Sequence, residues 1–252
     1  ANLLYTPMLY SHVFAESKAY RDEVLPWCEY DTPLVVQFAG NDAQTLLRAC
    51  RFVQNRAFAV DLNFGCPLRE AQRHQYGYYL LHNKQNRQRI LHIVRFLVQN
   101  LQLPVFCKIR LLPTPSETVE FAKELELAGC SLLTVHARQG LSPQNKRYGP
   151  AFLQFVKDIK AHITIPVICN GNVRSWDDII RNLQYTQADG VMCAESIISN
   201  PALFYPATQV DSQTVQDTLT RIREHHRTQS MRLQRLGCEL YQTQHPQQQP
   251  TL

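Results

Sequence analysis

The sequence has no apolar run approaching the roughly 20 residues that a membrane-crossing helix needs. It also lacks a signal-peptide pattern at its start, so neither a membrane anchor nor a secreted protein is expected. Its eight cysteines include no CxxC pair and no Cys/His spacing suited to zinc, which argues against both a metal centre and a disulfide framework. Cys107, Cys169 and Cys193 instead fall inside apolar, strand-like runs, as in a reducing cytoplasmic or nuclear protein. No internal repeat occurs beyond an alternation of short apolar runs and helical-period segments. There is no initiator methionine either, and the chain opens directly on a strand-like run, so it is expected to begin mid-protein.

What is present suits one large α/β domain: 252 residues, 44% hydrophobic and 19% charged. A net charge of +5 fits a polyanionic partner, though many proteins that touch no nucleic acid are as basic. Short, nearly all-apolar strands are expected at 3–6, 33–38, 58–62, 105–110, 132–136, 167–169 and 190–193, as for strands buried on both faces of a parallel sheet. Helices are expected at 42–54, 83–99, 116–128, 150–161 and 175–183. Asn41 or Asp42, Ser116 and Ser175 stand at their starts, and Gly129 follows the third.

Alternating strands and helices imply a parallel sheet with right-handed crossovers. The polar residues gather at the carboxyl end of each strand: Gln37, then Asn63 and Cys66, Lys108 and Arg110, His136 and Arg138, Asn170-Gly171-Asn172, and Glu195-Ser196. In a doubly wound sheet these would spread along a line; in a barrel they converge on the face where such enzymes place their active sites. The expected architecture is therefore α/β, a (β/α)₈ TIM barrel lacking its first strand. It would occupy 1–206 as the catalytic domain, followed by a basic helical segment at 207–240 and a disordered tail at 241–252.

The stretch 61–67 delivers Cys66 to the rim just past an Asn-Phe-Gly break. A thiol there could be a nucleophile, a metal ligand, a general acid or packing. Asn170-Gly171-Asn172 and Ala194-Glu195-Ser196, each following a late strand, have the position of barrel phosphate-binding loops, although such turns are common in other roles. Lys108 can pair with a delocalised anionic ring, form a Schiff base or cap the barrel, and His136 can donate to a ring oxygen. Together with Gln37 they suggest a planar, phosphate-bearing cofactor across the barrel mouth, for which FMN is the natural candidate.

These residues carry a family resemblance. Asp61-Leu62-Asn63-Phe64-Gly65-Cys66-Pro67, with Arg73, Tyr76-Gly77 and Leu80-Leu81, resembles the signature of the tRNA-dihydrouridine synthases. Cys107-Lys108-Ile109-Arg110, the 133–138 block, Asn170-Gly171-Asn172 and Asn200-Pro201-Ala202-Leu203-Phe204 follow in family order, and Leu4–Leu9 resembles the eukaryotic branch acting on D-loop uridines sixteen and seventeen. The resemblance implies that NADPH or NADH reduces FMN, and that reduced FMN passes hydride to C6 of a uridine flipped out of tRNA. Cys66 would give the proton to C5, a role open to a thiol that is mostly protonated at neutral pH. Gln37, Lys108 and His136 would contact the flavin ring; Asn170, Gly171, Asn172, Ala194 and Glu195 would hold its phosphate; Asn63 and Arg138 would face the uridine. The arginines of the last helix would meet tRNA phosphates, and the protein would act as a monomer. Against this stand the family's first strand, which is absent, and His74 and Tyr78, which replace usually small residues. The competing readings are another FMN barrel oxidoreductase acting on a small molecule, and an inactive truncated isoform.

Overall fold

The structure, a computed structural model, describes residues 3–28, 31–140 and 149–205. The chain divides into two compact units, residues 1–193 and 194–252, and each is described by itself. In the first unit, β1 (Leu4–Tyr5), β3 (Leu34–Ala39), β4 (Ala59–Asn63), β5 (Val105–Leu111), β6 (Leu132–Gln139), β7 (Val167–Asn170) and β8 (Gly190–Met192) form one parallel sheet in that spatial order. A further two-residue strand, β2 (Leu9–Tyr10), pairs in parallel with the end of β3. Strands β1 and β8 are the two ends of the order, so the sheet is an open, parallel half-barrel.

Strand alternation sorts the sheet into two faces. One face, with Val36, Phe38, Val60, Leu62, Cys107, Ile109, Leu133 and Val135, is wholly buried in the main core. Helices α3 (Ala43–Val53), α6 (Lys84–Asn100), α7 (Pro115–Leu127), α8 (Leu153–Lys160) and α9 (Trp176–Thr186) complete this α/β unit. The other face is layered along the strands. Its lowest level is apolar, with Val35, Ala59, Phe106, Leu132 and Ile168. Two residues further along come Gln37, Asp61, Lys108, Thr134 and Asn170, and two further again Asn63, Arg110 and His136. The sheet register sets these side by side: Gln37 opposite Asp61, Asn63 opposite Lys108, Arg110 opposite His136, His136 opposite Asn170. Polar rims of this kind are where barrels build sites.

Several expectations need correction. Helix α7 is capped by Thr114, whose hydroxyl accepts from Glu117 N at 3.2 Å, and not at Ser116; Pro115 takes the first helical turn, where its missing N–H costs nothing. Helix α8 starts at Leu153 rather than at 150, because Phe152 N is tied to Ala137 O at 2.7 Å. Helix α9 runs on to Thr186 and closes on Gln187 at a φ of 58°. Helices α1 (Ser11–Glu16), α2 (Lys18–Val24), α4 (Arg69–Arg73) and α5 (Tyr78–His82) were not anticipated, nor was β2. Asp42 caps α3, and Gly129 follows α7 with a φ of 96°, both as expected.

In the second unit, Ala194 and Glu195 lead into a four-residue helix, α10 (Ser196–Ser199). Asn200 closes this helix, and Pro201 behind it cannot continue the turn. The basic segment at 207–240 and the tail at 241–252 lie outside the described residues.

Candidate active site

The Cys66 turn is built from backbone outward. Gly65 N donates to Asn63 Oδ1 at 3.0 Å, Gly65 O accepts from Arg110 Nε at 2.9 Å, and Cys66 O accepts from Tyr78 N at 2.9 Å. Gly77, at a φ of 61°, lies against the same turn: a Cβ there would come within 2.7 Å of Cys66 O and 3.0 Å of Cys66 Cβ. Glycine is required at 77 for both its backbone angle and its lack of bulk. Cys66 itself is half-buried and unbonded to other cysteines, packed against the small cluster of Ala39, Ala71 and Tyr76.

A directed chain of amides runs behind this turn. Gly65 N–H can only donate, so Asn63 presents Oδ1 to it and its Nδ2 to Gln37 Oε1, at 2.8 Å. Gln37 then turns Nε2 to Asp61 Oδ2, also at 2.8 Å. An ionised carboxylate can only accept, so both ends of the chain dictate the same amide orientations. Asp61 is fully buried, and burial raises its carboxyl pKa above the usual range, opposed by the Gln37 hydrogen bond and by Lys108. Its other oxygen has no hydrogen-bond partner among the described residues. The rim therefore holds more polar capacity than its own side chains use.

A second fixed amide lies on β7. Lys108 Nζ, a pure donor, meets Asn170 Oδ1 at 3.0 Å, and Asn170 Nδ2 donates to Met192 O at 2.9 Å. Burial pulls the Lys108 ammonium below its ordinary pKa, and Asp61 opposes the fall. Next to it, burial and then the positive charges of Lys108, Arg110 and Arg138 push His136 down to about 2, so its ring is neutral at physiological pH. Arg138 Nη1 lies 3.1 Å from His136 Nε2. A guanidinium can only donate, so Nε2 is the acceptor and the ring proton sits on Nδ1.

Arg138 also donates to Asn172 Oδ1 at 2.8 Å and to Gly149 O at 3.2 Å, which sets it against the 170–172 turn. In that turn Gly171 has a φ of 133° and Asn172 one of 56°. A Cβ on Gly171 would stand 3.1 Å from Ala151 Cβ, so this turn too accepts only glycine. A cavity of about 400 Å³ opens beside it, lined by Gly149, Pro150, Asn172, Arg174 and Asp178. Just ahead of α9, Asp178 Oδ2 accepts from Arg174 N at 2.9 Å and Ser175 N at 3.0 Å, and Asp178 N donates to Ser175 Oγ at 3.2 Å. The Arg138 and Arg174 side chains bring positive charge to this turn.

The structure thus brings Gln37, Asn63, Cys66, Lys108, His136, Arg138, Asn170, Gly171 and Asn172 to one end of one sheet face. Ala194 and Glu195 belong to the second unit, where Glu195 precedes α10 without a side-chain capping bond. Sequence reasoning gave no role to Asp61, although it lies two residues from Asn63 on the same face of β4. Arg110 was placed at the rim, but its hold on Gly65 was not foreseen. Among the described residues no cluster of His, Cys, Asp and Glu could hold a metal ion, and no helix is long and apolar enough to cross a membrane.

The half-barrel with its polar inner rim places the chain among the (β/α)-barrel proteins. DHODH from Eimeria tenella shares that fold, with a TM-score of 0.52 at 15% identity over 75% of this chain and 56% of that one. The match that identifies the family is one of sequence: the dihydrouridine synthase (Dus) model covers residues 1–248, and the chain belongs to that family. It is 38% identical to the rat protein named tRNA-dihydrouridine(16/17) synthase [NAD(P)(+)]-like, over 89% of this chain and 51% of that protein. Against the Schizosaccharomyces pombe tRNA-dihydrouridine(16/17) synthase [NAD(P)(+)] it is 36% identical, over 82% of this chain and 52% of that protein. The chain spans about half the length of these curated relatives.

Proposed function

We propose that the protein to which this chain belongs reduces uridine to 5,6-dihydrouridine in the D-loop of tRNA. The positions sixteen and seventeen are taken from the names of its relatives. The supporting observation is convergence: Cys66, Asn63, Lys108 and His136 meet on the inner sheet face beside the 170–172 turn. This set suits FMN. Lys108 and the neutral His136 would hold the ring, Gln37 would stand beside it, and Asn170, Gly171 and Asn172 would hold the phosphate with help from Arg138 and Arg174. Bound FMN, reduced by NADPH or NADH, supplies the hydride.

The chain's own residues do the rest. Arg110 and Asn63 clamp Gly65, and Gly77 and Tyr78 close on Cys66, so the thiol is presented at a fixed place on the rim. Cys66 gives its proton to C5 of the base as hydride arrives at C6, leaving a thiolate that water reprotonates. Lys108 and Arg110 lie close enough to Cys66 for a negative charge there to favour their charged forms. The experiment is Cys66→Ala, assayed with FMN, NADPH and unmodified tRNA. Flavin absorbance should persist while dihydrouridine formation falls by about 10²-fold or more, the usual scale of a lost acid. Product formed at the native rate would refute the assignment.

A further inference from the structure

We infer that the outer flank formed by α3, α4 and α6 docks the phosphate backbone of RNA. This inference rests on the tRNA reading above. Between residues 42 and 100 the chain carries nine Lys and Arg against three acids, Asp42, Asp61 and Glu70. Asp61 is buried inside the sheet and Glu70 is held by His74 at 2.8 Å, which leaves Asp42 as the exposed acid free to offset the flank. Between residues 101 and 193 the balance is ten against eight. Residues 1–41, whose helix α1 packs on α3, carry two against five, so the positive excess is concentrated in the stretch that holds α3, α4 and α6.

Pairing sharpens the contrast. On the other flank Lys123 pairs with Glu120, Lys160 with Asp189 and Arg181 with Asp178. On α3, α4 and α6 the exposed Arg48, Arg51, Arg69, Lys84, Arg89 and Arg95 form no contact ion pair among the described residues, and Asp42 is the carboxylate that Arg48 and Arg89 act on. Helix α3 packs on α6, and Arg48 and Arg89 both act on Asp42, so cations from the two helices share one surface near the carboxyl ends of the strands. Helix α4 begins three residues after Cys66, which joins this surface to the rim. Six cations without a contact ion pair cost stability by mutual repulsion, and a polyanion that releases condensed counterions on binding offsets that cost. The side chains are mostly arginine, which suits phosphate through its bidentate donors. The flank offers charge without a base-reading groove, so it would position the RNA while the rim selects the nucleotide.

The test compares the full chain with a variant in which Arg48, Arg69, Lys84 and Arg89 are all alanine, using an unmodified tRNA transcript as probe. Binding should weaken at least about tenfold at moderate salt, and the plot of log affinity against log salt should flatten by about three, near the slope of four lost phosphate contacts. A Lys123→Ala/Lys157→Ala control on the opposite flank should leave both unchanged. An Arg48→Glu/Arg89→Glu variant gives a second route should the fourfold variant fail to fold. Native affinity and slope in the altered chain would overturn the inference. A native chain that forms dihydrouridine while the altered flank changes nothing sinks the flank alone; one that neither binds the transcript nor forms product sinks both readings.

Discussion

The two halves of the inner rim use the same strand geometry to different ends. On the β3–β4 side the polar side chains terminate on backbone: Asp61, Gln37 and Asn63 lead to Gly65 N, and Arg110 takes Gly65 O. On the β6–β7 side the charged groups bond mostly to other side chains, Arg138 to His136 and Asn172 and Lys108 to Asn170, with backbone reached at Gly149 O and Met192 O. Bonds to backbone fix the shape of a turn, and here they fix where a thiol stands. Bonds among charged and neutral side chains fix local potential, and here they gather cations around a glycine turn. The first half is suited to giving a proton, the second to holding an anion.

If that division is right, changes on the first side should cost stability and change shape, while the second side should answer chiefly in ionisation and ligand affinity. The largest expected effect is Asp61→Leu. It leaves the Gln37 amide donor unsatisfied and Lys108 without its countercharge, and should destabilise the fold by about 3 kcal/mol in denaturant unfolding. Asp61→Asn keeps an acceptor for Gln37 and should cost clearly less; equal losses would show that the amide chain's direction does not matter.

Gly77→Ala comes next. Its Cβ would meet Cys66 O at 2.7 Å at a φ of 61°, so a loss of about 2 kcal/mol is expected, with dihydrouridine formation falling more than stability explains. Native activity in this variant would mean that the Cys66 turn tolerates displacement. On the second side, His136 should stay neutral from pH 5 to 8 with its proton on Nδ1, as read by nitrogen NMR. With a folded pKa depressed to about 2, its contribution to stability is complete above the ordinary histidine range near 6.5 and is lost as pH falls below it. Titration of His136 near 6.5 would contradict the cationic surroundings assigned to it.

Much of this was legible in the sequence because buried parallel strands announce themselves as short apolar runs ended by a polar residue. The tips at Gln37, Asn63, Lys108, His136 and Asn170 all fell where those runs stop. Helices α1, α2, α4 and α5 were not legible, since helices of five to seven residues stand on tertiary contacts rather than propensity. The Arg21 guanidinium that bonds Phe14 O at 2.6 Å is one such contact, and nothing in the local pattern signals it. Thr114 and Ser116 flank the same proline, and only the backbone shows which of them caps. Asp61 escaped notice for a different reason: its importance follows from facing inward with Asn63, and an apolar run does not say which of its faces is the inner one.

Flavin binding tests most directly whether these strand tips serve one ligand. Titration of the purified chain with FMN, followed by quenching of flavin fluorescence, should saturate. Affinity should drop at least about tenfold both in Lys108→Met on β5 and in Gly171→Ala after β7, with melting curves showing that each variant remains folded. No quenching by the native chain, or a loss confined to one of the two variants, would contradict a single site shared across the rim.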